Sequence, residues 1–255
     1  MLHVHPVPAF QDNYIWVIHS DDRHCAVVDP GEAAPVARFI EDQGLTLEAI
    51  LLTHHHFDHI NGVAGLLAHY PGVVYGPADE RLPPGTRTLT DGECVDLPLL
   101  RLKFQVISVP GHTRSHIAYY GHGALFCGDT LFSLGCGRLF EGTPAQMLHS
   151  LDRLAQLPLT TQVYPAHEYT QANCRFARQV DPENTALADR AVEIAALRGA
   201  DKPSLPAILG TEIACNPFLR SRAPAIIAAA NRYAPDTGSD PTCVFASLRN
   251  WKDRF

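Results

Sequence analysis

The stretch THHHFDHING, residues 53–62, follows the apolar run AILL and decides how the chain is interpreted. Alternate side chains of an extended segment share one face, so we expect His54, His56 and Asp58 to point one way and His55 the other. His59 breaks this alternation where the chain turns into a helix. Three imidazoles and a carboxylate within six residues suit zinc, iron or manganese. The competing interpretation is a surface tract of histidines, but an internal H-x-H-x-D-H after an apolar strand favours a metal site.

Three further candidate ligands stand directly after other strand-like runs. His112 lies in PGHTRSH after FQVISV, Asp129 in CGDT after ALF, and His167 in YPAH after TQV. Loops at strand ends carry functional side chains on a rigid scaffold. Taken singly, a residue of this kind at a strand end is more often a turn residue than a ligand. Their weight comes from the complete set.

The full set holds five imidazoles and two carboxylates, more than one four-coordinate ion needs. Two ions that share a carboxylate use all seven side chains. The predicted arrangement is His54, His56 and His112 on one ion, Asp58, His59 and His167 on the other, and Asp129 bridging. Two ions roughly 3.5–4 Å apart can share a water molecule and lower its pKa towards ~7. The pattern therefore predicts a dinuclear hydrolase that needs no nucleophilic serine or cysteine.

Histidine and charge are distributed unevenly along the 255 residues. All 14 histidines lie at or before His167, and residues 1–167 contain 9 basic and 17 acidic side chains. Residues 168–255 contain 11 basic and 10 acidic side chains. Because non-specific nucleic-acid binding depends on clustered basic residues, this acidic balance argues against a nucleic-acid partner.

The compartment is inferred from cysteines and from signals. The seven cysteines are odd in number and scattered, which favours reduced thiols over a disulfide framework. The start, MLHVHPVPAF, does not read as a secretory signal, and no apolar run approaches the roughly 18 residues of a membrane span. We expect a cytoplasmic protein without a membrane partner.

Strand-like and helix-like runs alternate up to about residue 170. Many short strands with interspersed helices indicate an α/β (α+β) fold with sheet layers covered by helices. Thr143 followed by Pro144 predicts a helix start. Beyond His167 the runs become helical. We therefore expect a metal-bearing domain at residues 1–170 and a mainly helical domain at residues 171–255.

Several blocks of sequence carry a resemblance to a known family. They are DNY at 12–14, VVDPG, THHHFDHING, PGHT, CGDTLFSLGCGRLFEGT, YPAHEYT, NPF at 216–218 and the terminal LRNWKDRF. In this order they resemble the metallo-β-lactamase superfamily and, within it, the glyoxalase II (hydroxyacylglutathione hydrolase) family. The resemblance implies an αββα sandwich followed by a helical domain. It also implies hydrolysis of S-(2-hydroxyacyl)glutathione thioesters, chiefly S-D-lactoylglutathione, as in methylglyoxal detoxification.

The resemblance also implies how substrate is held. Arg249 and Lys252, spaced to share one face of the last helix, match the residues that grip the glycine carboxylate of glutathione. Arg138 and Tyr169 match further glutathione contacts. A basic pair near a chain end is otherwise typical of a solvated helix face.

Two positions depart from the family pattern. Phe140 stands where many members have a tyrosine that hydrogen-bonds glutathione, and Ser115 stands in place of a frequent glycine.

Asp58 is expected to orient the nucleophile or accept its proton, in addition to binding metal. Asp29, in VVDPG, is interpreted either as a support for a ligand histidine or as a turn cap.

Other members of the superfamily remain as alternatives. A β-lactamase usually lacks the equivalent of His59, an RNA-processing nuclease needs a basic arm, and a glutathione persulfide dioxygenase binds one iron and consumes oxygen. A metal-binding protein without catalysis is the remaining alternative. We expect two divalent ions per chain, zinc first, with iron or manganese as substitutes, in a monomer whose partner is a small glutathione thioester.

Overall fold

The computed structural model describes residues 2–20 and 23–255, and the chain divides into two compact units. Unit 1 consists of Met1–Ser108 and Ser115–Gly128, and unit 2 of Val109–Arg114 and Asp129–Phe255. Within the described ranges, no helix combines the length and the apolar character needed to cross a membrane.

Unit 1 contains a six-stranded sheet whose strands follow chain order. The strands are β1 (His3–Ala9), β2 (Asn13–His19), β3 (His24–Val28), β4 (Thr46–Leu51), β5 (Val73–Pro77) and β6 (Arg87–Leu89). Strands β1 to β3 pair antiparallel, whereas β3 to β6 pair parallel. The parallel strands bring the end of β4, and the histidine-rich segment that follows it, beside the end of β3.

Helices cover one face of this sheet. They are α1 (Ala33–Gln43), α2 (Phe57–Ile60) and α3 (Val63–Leu67). Val36 of α1 and Leu66 of α3 share a buried cluster with Val17, Val27 and Ile50 of the sheet. Burial of this apolar face from water stabilises the helix layer on the strands.

A second, antiparallel set of strands completes unit 1. Its members are β7 (Cys94–Leu97), β8 (Leu102–Ser108), β9 (Ile117–Gly121) and β10 (Ala124–Gly128). The first residue of β9 donates from Ile117 N to Thr53 O (3.0 Å), and the Tyr119 hydroxyl donates to Leu52 O (2.8 Å). These bonds fix the backbone immediately before the histidine-rich segment.

Unit 2 is mainly helical. Its strands are β11 (Leu131–Phe132), β12 (Gly135–Cys136), β13 (Gln162–Pro165) and β14 (Ala207–Ile208). Its helices are α4 (Pro144–Ala155), α5 (Thr170–Val180), α6 (Thr185–Gly199), α7 (Leu209–Cys215), α8 (Pro224–Tyr233) and α9 (Pro241–Asp253). The pairs β11–β12 and β13–β14 are antiparallel. The predicted mixture of strands and helices, with a helical C-terminal region, is confirmed.

Individual elements agree with the sequence to different degrees. The predicted start of α4 is confirmed, because Thr143 forms a capping box with Gln146. After the histidine-rich segment, residues 57–67 do not form one continuous helix. The chain forms α2 and α3 with a break at Gly62, whose N–H donates to Pro30 O (2.8 Å) and where a Cβ would lie 2.5 Å from that oxygen.

Candidate metal centre

Four of the predicted metal ligands lie together in unit 1, where β4 gives way to α2. His54 and His59 are fully buried, and His54 Nε2 lies 3.0 Å from His56 Nδ1. His59 Nε2 lies 3.4 Å from Asp58 Oδ2. His55 instead places its Nδ1 3.3 Å from Asp79 Oδ2. The segment thus gathers three imidazoles and one carboxylate.

Asp29, at the end of β3, organises this group. Its Oδ1 accepts from Thr53 N (2.8 Å), and its Oδ2 accepts from the Thr53 hydroxyl (2.7 Å) and lies 3.0 Å from His59 Nδ1. A carboxylate in this position is an acceptor, so Nδ1 of His59 is the protonated nitrogen and Nε2 carries the lone pair. Asp29 therefore contacts both the turn at Thr53 and the predicted ligand His59, so its geometry is compatible with the two roles that the sequence left open.

Asn13 is a contributor that sequence reasoning did not assign. Its Nδ2 donates to Asp58 Oδ2 (2.9 Å), across 45 positions of sequence. The available signal was the DNY block, in which a polar residue opens an otherwise buried strand. Gly31 permits the close approach, because a Cβ there would lie 1.9 Å from Asp58 O. Asn13 and Gly31 together set where the Asp58 carboxylate lies.

The remaining three predicted ligands lie together in unit 2. Asp129 stands between two imidazoles, with Oδ2 3.4 Å from His112 Nε2 and Oδ1 3.4 Å from His167 Nε2. Nδ1 of His112 lies 2.9 Å from Arg138 O, and a carbonyl only accepts, so Nε2 of His112 carries the lone pair. One oxygen directed at each imidazole is the arrangement that a bridging carboxylate requires.

The donor geometry in both units fits a metal ion. In each, a lone-pair nitrogen faces a carboxylate oxygen at 3.4 Å, as for His59 with Asp58 and His112 with Asp129. Two acceptors at this distance repel unless a proton or a cation lies between them. Imidazole with carboxylate is the ligand set of zinc and iron hydrolases, and protein acceptors fix both rings as in metal sites.

All four predicted substrate residues line one pocket of about 550 Å³ in unit 2. Its lining includes Arg138, Tyr169, Arg249 and Lys252 together with the ligands His112 and Asp129. The Tyr169 ring stacks on His167 at a centroid distance of 4.7 Å. The pocket thus joins predicted metal ligands to a cluster of cations.

Arg249 is held more tightly than its neighbours in the pocket. It is 6% exposed, and its guanidinium donates to Cys136 O (2.8 Å) and Asp253 Oδ1 (3.0 Å). The same Asp253 oxygen lies 3.6 Å from Arg138 Nε. Cys136 and Asp253 were not predicted as site residues, since their contacts depend on tertiary structure.

The charged form of Lys252 is destabilised by its surroundings. Desolvation and then the charges of Arg249, Arg175 and Arg138 lower its pKa to about 8. The aromatic rings of Phe176 and Phe255 lie 5.3 and 5.5 Å from its Nζ and offset part of this cost. An arriving carboxylate would stabilise the charged form.

The two departures from the family pattern have structural consequences. The Ser115 hydroxyl donates to Asp79 Oδ2 (2.6 Å), in unit 1. Phe140 is 64% exposed, lines the pocket and packs edge-on against His112 at 5.2 Å. Phe140 therefore offers this pocket ring surface and no hydroxyl group.

Two family models match the chain. A family model described as hydroxyacylglutathione hydrolase C-terminus matches residues 168–255, and one described as metallo-β-lactamase superfamily matches residues 8–167. A hydroxyacylglutathione hydrolase of Cupriavidus taiwanensis is 55% identical over 268 residues, covering 100% of both chains.

Solved structures show the same fold. The B3 metallo-β-lactamase BLEG-1 is 25% identical, with a TM-score of 0.64 over 86% of this chain and 99% of its own. TTHA1623, solved in a di-iron-bound form, is 30% identical, with a TM-score of 0.57 over 64% of this chain and 91% of its own. The predicted metallo-β-lactamase fold class is confirmed. The chain belongs to the hydroxyacylglutathione hydrolase family of the metallo-β-lactamase superfamily.

Proposed function

We propose that the protein hydrolyses S-(2-hydroxyacyl)glutathione thioesters, chiefly S-D-lactoylglutathione, to D-lactate and glutathione. Its role would be the detoxification of methylglyoxal. The observation that carries this proposal is the unit 2 pocket, where His112 and Asp129 share a wall with Arg138, Arg249 and Lys252. A substrate with an anionic tripeptide and a reactive acyl carbon needs both features in one cavity.

The proposed metal assignment follows the sequence prediction. His54, His56 and His112 would hold one ion, Asp58, His59 and His167 a second, and Asp129 would bridge them. Zinc is the proposed metal, with iron or manganese as substitutes, since these donors accept all three. Such ions would supply Lewis acidity and would lower the pKa of a bound water, so that a nucleophile would be available near neutral pH.

The chain's own residues prepare this chemistry. Asp29 and the Arg138 carbonyl keep the protons of His59 and His112 on Nδ1, which leaves Nε2 as the ligand atom. Asn13 fixes Asp58 through Oδ2. We assign Asp58 the catalytic role of orienting the nucleophile and accepting its proton, in addition to ligation.

Substrate binding is assigned to the cations and the aromatic wall. Arg249 and Lys252 would bind the glycine carboxylate of glutathione, and Arg138 and Tyr169 would contact the rest of the tripeptide. The departing thiol has an ordinary pKa near ~8.5, so it leaves as a thiolate without a strong general acid.

We further propose that residues 1–170 form the metal domain and residues 171–255 the substrate domain.

The cellular setting is part of the proposal. Seven cysteines without a disulfide suit a reducing compartment, so we place the protein in the cytoplasm. We propose that it acts as a monomer on a small molecule.

The proposal is tested by following thioester absorbance with S-D-lactoylglutathione, with and without a chelator. We expect hydrolysis that the chelator abolishes and added zinc restores. Hydrolysis that survives complete metal removal would contradict the proposal. Oxygen consumption with glutathione persulfide, in place of thioester hydrolysis, would assign the protein to the dioxygenases instead.

A further inference from the structure

A buried carboxylate in unit 2 belongs to no part of the site described above. Glu212 of α7 is fully buried. Its Oε1 accepts from the Ser133 hydroxyl (2.7 Å), and its Oε2 accepts from Leu134 N (2.7 Å) and Asn216 Nδ2 (3.1 Å). Burial raises the pKa of Glu212, and these three hydrogen bonds oppose the rise. A buried carboxyl group is costly unless it is hydrogen-bonded, so the position of Glu212 depends on these partners and theirs on Glu212.

Two of these partners, Ser133 and Leu134, form the turn of the β11–β12 hairpin, residues 131–136. Leu134 in this turn has a φ of 57°, a left-handed conformation that residues with bulky side chains rarely adopt. Two asparagines hold the same hairpin. Asn216 Nδ2 donates to Phe132 O (3.1 Å) and Gly135 O (3.0 Å), and Asn173 Nδ2 donates to Ser133 O (3.1 Å). Glu212, Asn173 and Asn216 are called the hairpin clamp below.

The clamped segment leads directly to two carbonyls that touch the site. Cys136 O accepts from the guanidinium of Arg249 (2.8 Å), and Arg138 O accepts from Nδ1 of His112 (2.9 Å). One bond aims the arginine assigned to substrate, and the other fixes the tautomer of a ligand histidine. A shift of the hairpin would therefore disturb both.

We propose that the hairpin clamp, with Glu212 at its centre, is a positioning device that places Cys136 O and Arg138 O so that Arg249 binds substrate and His112 binds metal. The kinetic part of this inference rests on the proposed thioesterase activity, and the metal part rests on the proposed role of His112 as a ligand. Helix α7 thus acts on the reaction through hydrogen bonds to backbone, without contacting substrate.

The experiment compares Glu212→Ala and Glu212→Gln with a matched control, Asp181→Ala. Gln is expected to rescue, because its oxygen can accept from Leu134 N and Asn216 while its amide donates to the Ser133 hydroxyl. Asp181 is a buried carboxylate of unit 2 that bonds Asn184 and Arg220 instead of the hairpin. Each zinc-loaded variant is tested for thioester kinetics, glutathione binding by calorimetry, zinc loss to a chelator, and thermal unfolding.

We expect Glu212→Ala to raise the KM for S-D-lactoylglutathione about tenfold, the factor that one lost hydrogen bond to a charged group produces. Zinc loss should also accelerate about tenfold, as when the supports of a ligand histidine are removed. Glu212→Gln and Asp181→Ala should stay within about twofold of the parent in both measurements, even where Asp181→Ala lowers the melting temperature as much.

The proposal would be overturned if Glu212→Ala and Asp181→Ala lowered the melting temperature equally while KM, glutathione affinity and the rate of zinc loss were unchanged in both. If Glu212→Ala does not fold, Ser133→Ala removes one bond of the same carboxylate and must move zinc loss in the same direction. A parent protein without thioesterase activity would contradict the proposed function, while glutathione binding and zinc loss would still decide the role of the clamp.

Discussion

Replacement of Asp29 by Asn removes one acceptor from the histidine-rich segment while preserving its shape. The Asn oxygen can still accept from Thr53 N, and the amide can donate to the Thr53 hydroxyl. The amide cannot accept from Nδ1 of His59, now 3.0 Å from Oδ2. Asp29 has a φ of 50°, which Asn adopts more readily than Ala, so the backbone should stay in place.

The lost bond joins an imidazole to a charged acceptor, which is worth about 1.5–3 kcal/mol. Loss of such a support typically weakens metal binding by about 10–100-fold. We therefore expect zinc affinity of Asp29→Asn to fall within that range, measured by competition with a chromophoric chelator.

Asp79→Asn provides the matched control. The Asp79 side chain is 4% exposed and lies in the same unit, but it contacts His55, Arg81 and Ser115. Its replacement should leave zinc affinity within about twofold of the parent. Equal zinc affinity in Asp29→Asn and the parent would refute the reasoning and leave Asp29 as a turn cap alone.

Three further predictions concern unit 2. The pKa of Lys252 is lowered to about 8, so its ammonium is present below that pH and lost above it. The KM for the thioester should therefore rise between pH ~7 and ~9, with kcat little changed. Lys252→Arg should flatten this dependence, because arginine keeps its charge over the whole range. A KM that does not change with pH would show that Lys252 does not bind the substrate carboxylate. Arg249→Ala should raise KM far more than it lowers kcat in steady-state assays, and an unchanged KM would exclude Arg249 from the substrate site. Gly137→Ala places a Cβ 1.9 Å from Asp129 O and should reduce bound metal in elemental analysis, whereas full metal content would show that the loop adapts without cost.

Local pattern accounts for what the sequence predicted. The alternation of His54 and His56, and the capping box at Thr143, depend on neighbours a few residues away. The sequence pattern does not predict strand β1, because Pro6 and Pro8 interrupt its run of strand-forming residues. A proline-containing strand is tolerated at a sheet edge, where β1 lies.

Contacts between distant residues account for what the sequence did not predict. Asp29 and His59 are 30 residues apart, and Ser133 and Glu212 are 79 apart. No periodicity in one sequence encodes such pairs, because packing brings them together after each element has formed. The candidate ligands can therefore be predicted from the sequence, whereas the groups that orient them are identified only once the fold is known.

The most direct test of the two-metal thioesterase is a titration of metal-free protein with zinc, in which hydrolysis of S-D-lactoylglutathione and bound zinc are measured on the same samples. The seven ligands predict activity that is absent without metal and reaches its maximum at two ions per chain. Full activity in the metal-free protein, or a maximum at one ion per chain, would contradict the account.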